Sequence, residues 1–72
     1  FMTALTLNEA DWQILKEKVK RKYNHLSEED LTYQAGKEQE LIDRLAQRVK
    51  RKPEYILFTL KKGLANLASN RL

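Results

Sequence analysis

The sequence predicts an all-α domain, a compact bundle of four helices, and three features of the chain indicate it. Apolar residues recur with helical spacing from Trp12 onward, a capped turn and a glycine follow in residues 26–36, and Pro53 separates two further apolar stripes. At 72 residues, the chain has enough material for one domain only. Residues 1–6 are expected to form a flexible N-terminus of this single domain, which spans residues 1–72.

The first helix is predicted to run from about Leu7 to Tyr23. Residues 6–9, TLNE, match a capping box and place the helix start there. Four side chains at positions i, i+3, i+7 and i+11 share one apolar stripe: Trp12, Leu15, Val19 and Tyr23. Trp12 heads this stripe, so we expect it to anchor the core.

The second helix is predicted to run from about Glu28 to Ala35. Ser27 is placed to cap it, Asp30 to reach back to Ser27, and Leu26 to pack against Leu31. Gly36 then supplies a left-handed C-terminal stop. Because two turns of helix are marginal in isolation, this helix depends on docking Leu31 and Ala35 onto its neighbours.

The third helix is predicted from about Lys37 to Arg51, with an apolar side that includes Leu41, Ile42, Leu45 and Val49. It must stop near Lys52, because Pro53 disfavours a helical conformation in the preceding residue. Pro53 itself suits the first position of a fourth helix. The predicted core comprises Trp12, Leu15, Val19, Leu31, Leu41, Leu45, Val49, Ile56 and Leu60.

The fourth helix has apolar residues on two sides. One arc is predicted to be buried: Leu57, Leu60, Leu64 and Leu67, joined by Ile56. We expect the helix to continue through Gly63, which costs only about 1 kcal/mol relative to alanine. The alternative is a stop at residues 61–63, which would make residues 64–72 a separate turn or tail. The other side carries Tyr55, Phe58 and Leu72, and a second copy of the chain is the predicted partner for it.

The charge pattern is explained mainly by helix electrostatics. Acidic residues open each predicted helix, and basic residues lie near the ends of the first, third and fourth, which complements the helix dipole. The net charge of +4 leaves an excess of cations, so the alternative function is weak, sequence-independent nucleic-acid binding. The residues predicted to contact phosphates are Lys18, Lys20, Arg21, Lys22, Arg48, Lys50, Arg51 and Lys52. Against this alternative, the aromatic residues do not alternate with the basic ones along the chain.

The inventory of reactive side chains argues against an enzyme. The chain has one histidine, no cysteine and two serines, so no catalytic triad can be assembled. His25 is predicted to be a turn residue or a partner of a helix C-terminus. Gly36 and Lys37 lack the spacing of a phosphate loop. We therefore expect no catalytic residue, metal, cofactor or small-molecule substrate, and Ser27 and residues 28–30 are assigned to capping.

The order of these motifs resembles the CsbD-like family of small bacterial general-stress proteins. The resemblance rests on Trp12, residues 15–20 (LKEKVK), residues 26–31 (LSEEDL) and residues 36–41 (GKEQEL). Glu17 and Asp43 depart from it, because they stand where the family usually has glycine. The resemblance implies two short α-hairpins packed across each other, as in a SAM domain. It also implies a cytoplasmic, non-enzymatic stress-response protein that acts through its surface, by self-association or by binding a macromolecule.

The expected location is the cytoplasm. The N-terminus lacks the basic start and apolar core of a signal peptide, and the longest apolar run, residues 55–58, is too short to span a bilayer. The absence of cysteine fits a reducing compartment and leaves helix packing to stabilise the fold. No membrane partner is therefore expected.

Overall fold

A computed structural model describes residues 5–67, and within this range it contains three α-helices and no strand. Helix α1 is Glu9–Lys22, α2 is Glu38–Val49 and α3 is Pro53–Ala65. Helix α3 packs against both α1 and α2. The predicted four-helix arrangement of two crossed hairpins is therefore wrong, because the predicted second helix does not form. None of the described helices is long and apolar enough to cross a bilayer.

The missing helix is replaced by turns in which the predicted cap is nevertheless present. The Ser27 amide donates to Asp30 Oδ2 at 3.0 Å, and the Asp30 amide donates to Ser27 Oγ at 3.3 Å. Leu26 and Leu31, the two residues predicted to pack together, are both buried. The capped start thus forms as predicted, but the chain continues as turns rather than as a helix.

Side chains from α1 and α2 explain why no helix follows the cap. Trp12 Nε1 donates to the Leu31 carbonyl at 3.1 Å. Arg44 donates to the Asp30 carbonyl at 3.2 Å and also to the Thr32 carbonyl. A helix would need these same carbonyls for its own i to i+4 bonds, so these contacts compete with it. Two turns of isolated helix are too marginal to win that competition.

Helix α1 begins two residues later than predicted. The N-cap is Asn8 and not Thr6, the first residue of the predicted capping box, and Asn8 Oδ1 accepts from the Asp11 amide at 2.7 Å. The preceding segment is extended and packs inward, with Leu5 and Leu7 buried. Leu7 is fixed on both sides, because its amide donates to Glu38 at 3.2 Å and its carbonyl accepts from the Tyr33 hydroxyl at 2.5 Å.

The turns before and after α2 agree only in part with the sequence prediction. Gly36 has the predicted left-handed conformation, with φ of 85°, but it lies in a turn and does not end a helix. Helix α2 ends at Val49, because Lys50 adopts φ of 59° and the Arg51 amide bonds back to the Ala46 carbonyl. Pro53 is the first residue of α3, as predicted.

Helix α3 continues through Gly63 to Ala65, which confirms the predicted continuity at that glycine. Residues 68–72, including Leu72, lie outside the described residues, as do residues 1–4. Every residue of the predicted core list is buried except Val49, which is partly buried against the core. In the arc of α3 that was predicted to be buried, Leu57, Leu64 and Leu67 are also only partly buried. The core also contains residues that the sequence did not assign to it: Leu5, Leu7, Leu26, Ile42 and Ala46.

Candidate nucleic-acid interface

The structure divides the eight predicted phosphate contacts into two sets. Residues of the first set bond to other groups of the protein, and residues of the second set are exposed to solvent. Lys18 belongs to the first set, because it is only 2% exposed and its ammonium donates to the carbonyl of Asn66. Asn66 is the C-cap of α3, so Lys18 satisfies a backbone group at the end of that helix. This burial and this hydrogen bond argue against the prediction that Lys18 contacts a phosphate.

Lys20 and Arg48 also belong to the first set, because each forms an ion pair with an acidic residue of the loop between α1 and α2. Lys20 Nζ lies 2.9 Å from Glu28 Oε2, and this hydrogen bond lowers the pKa of Glu28 and raises that of Lys20. Arg48 Nε lies 3.0 Å from Asp30 Oδ2. The Ser27 amide is the main cause of the lowered pKa of Asp30, and Arg48 adds to it. These two cations anchor the loop.

The remaining five predicted contacts are exposed, and they lie in two groups that the fold brings together. They are Arg21 and Lys22 at the end of α1, and Lys50, Arg51 and Lys52 between α2 and α3. Tyr23 follows α1 and lines a small apolar cavity together with Ile56 of α3, the residue next to Tyr55. The end of α1 therefore lies beside the start of α3.

Each tyrosine of this pair lies beside a cation. Lys22 Nζ is 5.7 Å from the centroid of the Tyr23 ring, and Arg51 Cζ is 5.5 Å from that of Tyr55. Burial raises the pKa of Tyr23, its bond with Tyr55 raises it further, and the charge of Arg51 lowers it. We call Lys22, Tyr23, Arg51 and Tyr55 the basic-aromatic cluster. The inference that aromatic and basic residues do not alternate holds along the sequence but not in space.

His25 connects the turn after α1 to the end of α2. Its Nε2 lies 3.3 Å from the carbonyl oxygen of Arg48, one of the last carbonyls of that helix. Because a carbonyl only accepts hydrogen bonds, the imidazole Nε2 must donate. This is the predicted role of a turn residue that partners a helix C-terminus, and it helps hold the two basic groups together.

A second exposed feature lies further along α3. Phe58 is 65% exposed and Tyr55 is 41% exposed, so the side of this helix predicted to face outward does so. A shallow depression beside Phe58 is lined by Glu54, Leu57, Phe58, Lys61 and Lys62. Leu72, the third residue predicted for this side, lies outside the described residues.

Between residues 5 and 67, no three histidine, aspartate or glutamate side chains come together as metal ligands would. Polar side chains do line a cavity between the α1–α2 loop and α2: Thr32, Gln34, Lys37, Glu40 and Arg44. Three of them are engaged with protein groups, since Arg44 binds loop carbonyls and Lys37 pairs with Glu40 at 3.4 Å. The exposed basic surface is therefore the stronger candidate for a binding site.

In comparisons with protein-family models, curated proteins and solved structures, nothing matches this chain.

Proposed function

We propose that this protein is a non-enzymatic binding protein whose ligand is nucleic acid, held through phosphate contacts made by its exposed basic residues. The observation that carries the proposal is the basic-aromatic cluster, in which Lys22 lies over the Tyr23 ring at the end of α1 and Arg51 lies over the Tyr55 ring at the start of α3. One basic group lies at the end of α1 and the other between α2 and α3, and the residues of both groups are exposed. In line with the resemblance to CsbD-like proteins, we propose that the binding serves a bacterial stress response.

The chemistry of the site favours binding without sequence preference. Lysine and arginine at helix ends meet phosphates, which hold a protein on nucleic acid but carry no sequence information. Each phosphate that is neutralised releases condensed counterions, so the affinity should fall steeply with salt. The net charge of +4 also attracts a polyanion over distances comparable to the Debye length.

Replacing Arg51 with glutamine is expected to weaken duplex binding and to flatten its salt dependence. Neutralising Z phosphates gives a log-log slope of about −0.9Z, so losing one contact should reduce the magnitude of the slope by about 0.9. Fluorescence anisotropy titrations at several salt concentrations measure both quantities.

The matched control for Arg51→Gln is Lys37→Gln, which removes the same charge at the other end of α2. The 12 residues of α2 place these two positions roughly 18 Å apart along the helix axis. We expect Lys37→Gln to leave the slope nearly unchanged. Equal effects of the two variants, or tight sequence-selective binding at physiological salt, would contradict the proposed function.

Self-association through α3 is the second candidate, and the exposure of Phe58 favours it. An aromatic side chain that is 65% exposed gains from being covered, and two-fold pairing is the commonest way to cover it. We expect Phe58→Glu to shift any oligomer toward monomer while preserving helix content, as measured by sedimentation and circular dichroism.

Ile14→Glu is the control for Phe58→Glu, because Ile14 is 48% exposed on α1 and lies on a different helix. It should leave the oligomeric state unchanged. A wild-type protein that is monomeric at hundreds of micromolar would exclude this second candidate, and a loss of helix content in Phe58→Glu would place Phe58 in the core.

A further inference from the structure

The outward face of α3 combines aromatic rings with cations. We define the α3 aromatic face as the exposed residues of this helix that share one side: Glu54, Tyr55, Phe58, Lys61, Lys62 and Ala65. The opposite side is buried and consists of Ile56, Thr59, Leu60 and Gly63. The helix therefore has a packed side and an exposed side that is available to a ligand, with the partly buried Leu57 and Leu64 between them.

The order of groups along this face is cation, ring, ring, cation. Arg51 lies just before the helix with its guanidinium over the ring of Tyr55, and Phe58 and Lys62 follow at spacings of three and four residues. At a rise of 1.5 Å per residue, Phe58 lies about 4.5 Å beyond Tyr55 along the axis, and Lys62 about 6 Å beyond Phe58. Aromatic rings between cations are the arrangement that binds single-stranded nucleic acids.

We propose that the α3 aromatic face binds single-stranded nucleic acid, with the Phe58 ring stacked on an unpaired base and Arg51 and Lys62 contacting the flanking phosphates. This inference rests on the proposed function and names the form of nucleic acid that the site prefers. In a duplex the faces of the bases are covered by their neighbours, so an exposed ring gains little from it. In a single strand the same faces are open to stacking.

Charge favours this ligand over a second copy of the chain. Lys61 and Lys62 lie on the face and Arg51 borders it, whereas Glu54 is the carboxylate among the residues of the face defined above. Pairing two such faces brings an excess of cations together, which costs electrostatic free energy. A polyanion neutralises the same cations and also covers Phe58, so both features of the face are satisfied at once.

The test compares a 20-nucleotide oligo(dT) strand with a mixed-sequence duplex of 20 base pairs, each titrated by anisotropy with the wild type and with Phe58→Ala. We expect the variant to lose about fivefold or more in affinity for the single strand, because alanine removes the stacking ring. Its affinity for the duplex should stay nearly unchanged. Phe58→Trp, which enlarges the ring, should bind the strand more tightly than the wild type does.

Ile14→Ala is the control, since it removes another exposed apolar side chain and should change neither affinity. Equal affinities of the wild type and Phe58→Ala for the strand, or equal losses on strand and duplex, would overturn this inference while the proposed function stands. Absence of binding to either nucleic acid would overturn both. A wild-type dimer that Phe58→Ala dissociates without altering strand binding would assign the face to a second copy instead.

Discussion

Replacing Trp12 with alanine is expected to lower the thermal stability of the protein sharply. Trp12 is 3% exposed, and truncating a buried tryptophan costs about 3–5 kcal/mol. A chain of 72 residues has roughly 4–11 kcal/mol of stability in total, at about 0.05–0.15 kcal/mol per residue. The substitution therefore removes a large share of the stability.

The contacts of Trp12 explain why its replacement destabilises residues outside α1 as well. Its indole N–H donates to the Leu31 carbonyl at 3.1 Å, and its ring packs edge-on against Tyr33 with centroids 6.1 Å apart. Both partners belong to the irregular loop between α1 and α2, which has few backbone bonds of its own. Trp12 thus fixes the loop to the first helix, and the loop in turn covers the core with Leu31.

Thermal melts followed by circular dichroism measure the effect, with Trp12→Phe as the matched control. Phenylalanine retains most of the buried area but leaves the Leu31 carbonyl without its donor, so we expect a smaller loss of about 1–3 kcal/mol. We also expect a chelator to leave the wild-type melt unchanged. A harmless Trp12→Ala, or a large effect of the chelator, would contradict this interpretation of the core.

The parts of the fold that were predicted correctly depend on local rules. Pro53 opens α3 because its fixed φ suits the first helical position, and Gly63 is tolerated because the burial of Ile56 and Leu60 on the same helix outweighs its cost. The conformation of residues 28–35 depends instead on tertiary contacts, since Arg44 and Trp12, which are distant in the chain, donate hydrogen bonds to carbonyls of this segment. The sequence reveals the cap at Ser27, but it does not reveal these competing donors.

The sequence indicated which residues could form the candidate site, but not which of them lie together in the fold. The period of α3 correctly placed Tyr55 and Phe58 on an outward side. The approach of Tyr23 to the start of α3 is a tertiary contact, because Tyr23 and Ile56 are far apart in the chain and neither has a pattern that specifies the other. Nor does the sequence separate Lys18 from Lys22, since both lie in one basic run of the same helix.

Replacing Lys18 with methionine is therefore expected to reduce stability without reducing nucleic-acid affinity. Methionine preserves the length of the side chain but removes the ammonium that donates to the Asn66 carbonyl at the end of α3. Hydrogen bonds to charged groups contribute about 1.5–3 kcal/mol, so the loss should be of this size. At about 4–8 °C per kcal/mol for a domain of this length, the fall in Tm is readily measured.

Lys22→Met is the matched control, because it makes the same chemical change at an exposed position one turn further along α1. We expect its stability to stay within about 0.5 kcal/mol of the wild type, as is usual for surface substitutions, while its affinity for nucleic acid falls. The two variants should thus show opposite patterns in thermal melts and in anisotropy titrations at a temperature where both are folded. If Lys18→Met instead lost affinity and kept its Tm, Lys18 would be a phosphate contact after all, and its ammonium would have to leave the end of α3 to act as one.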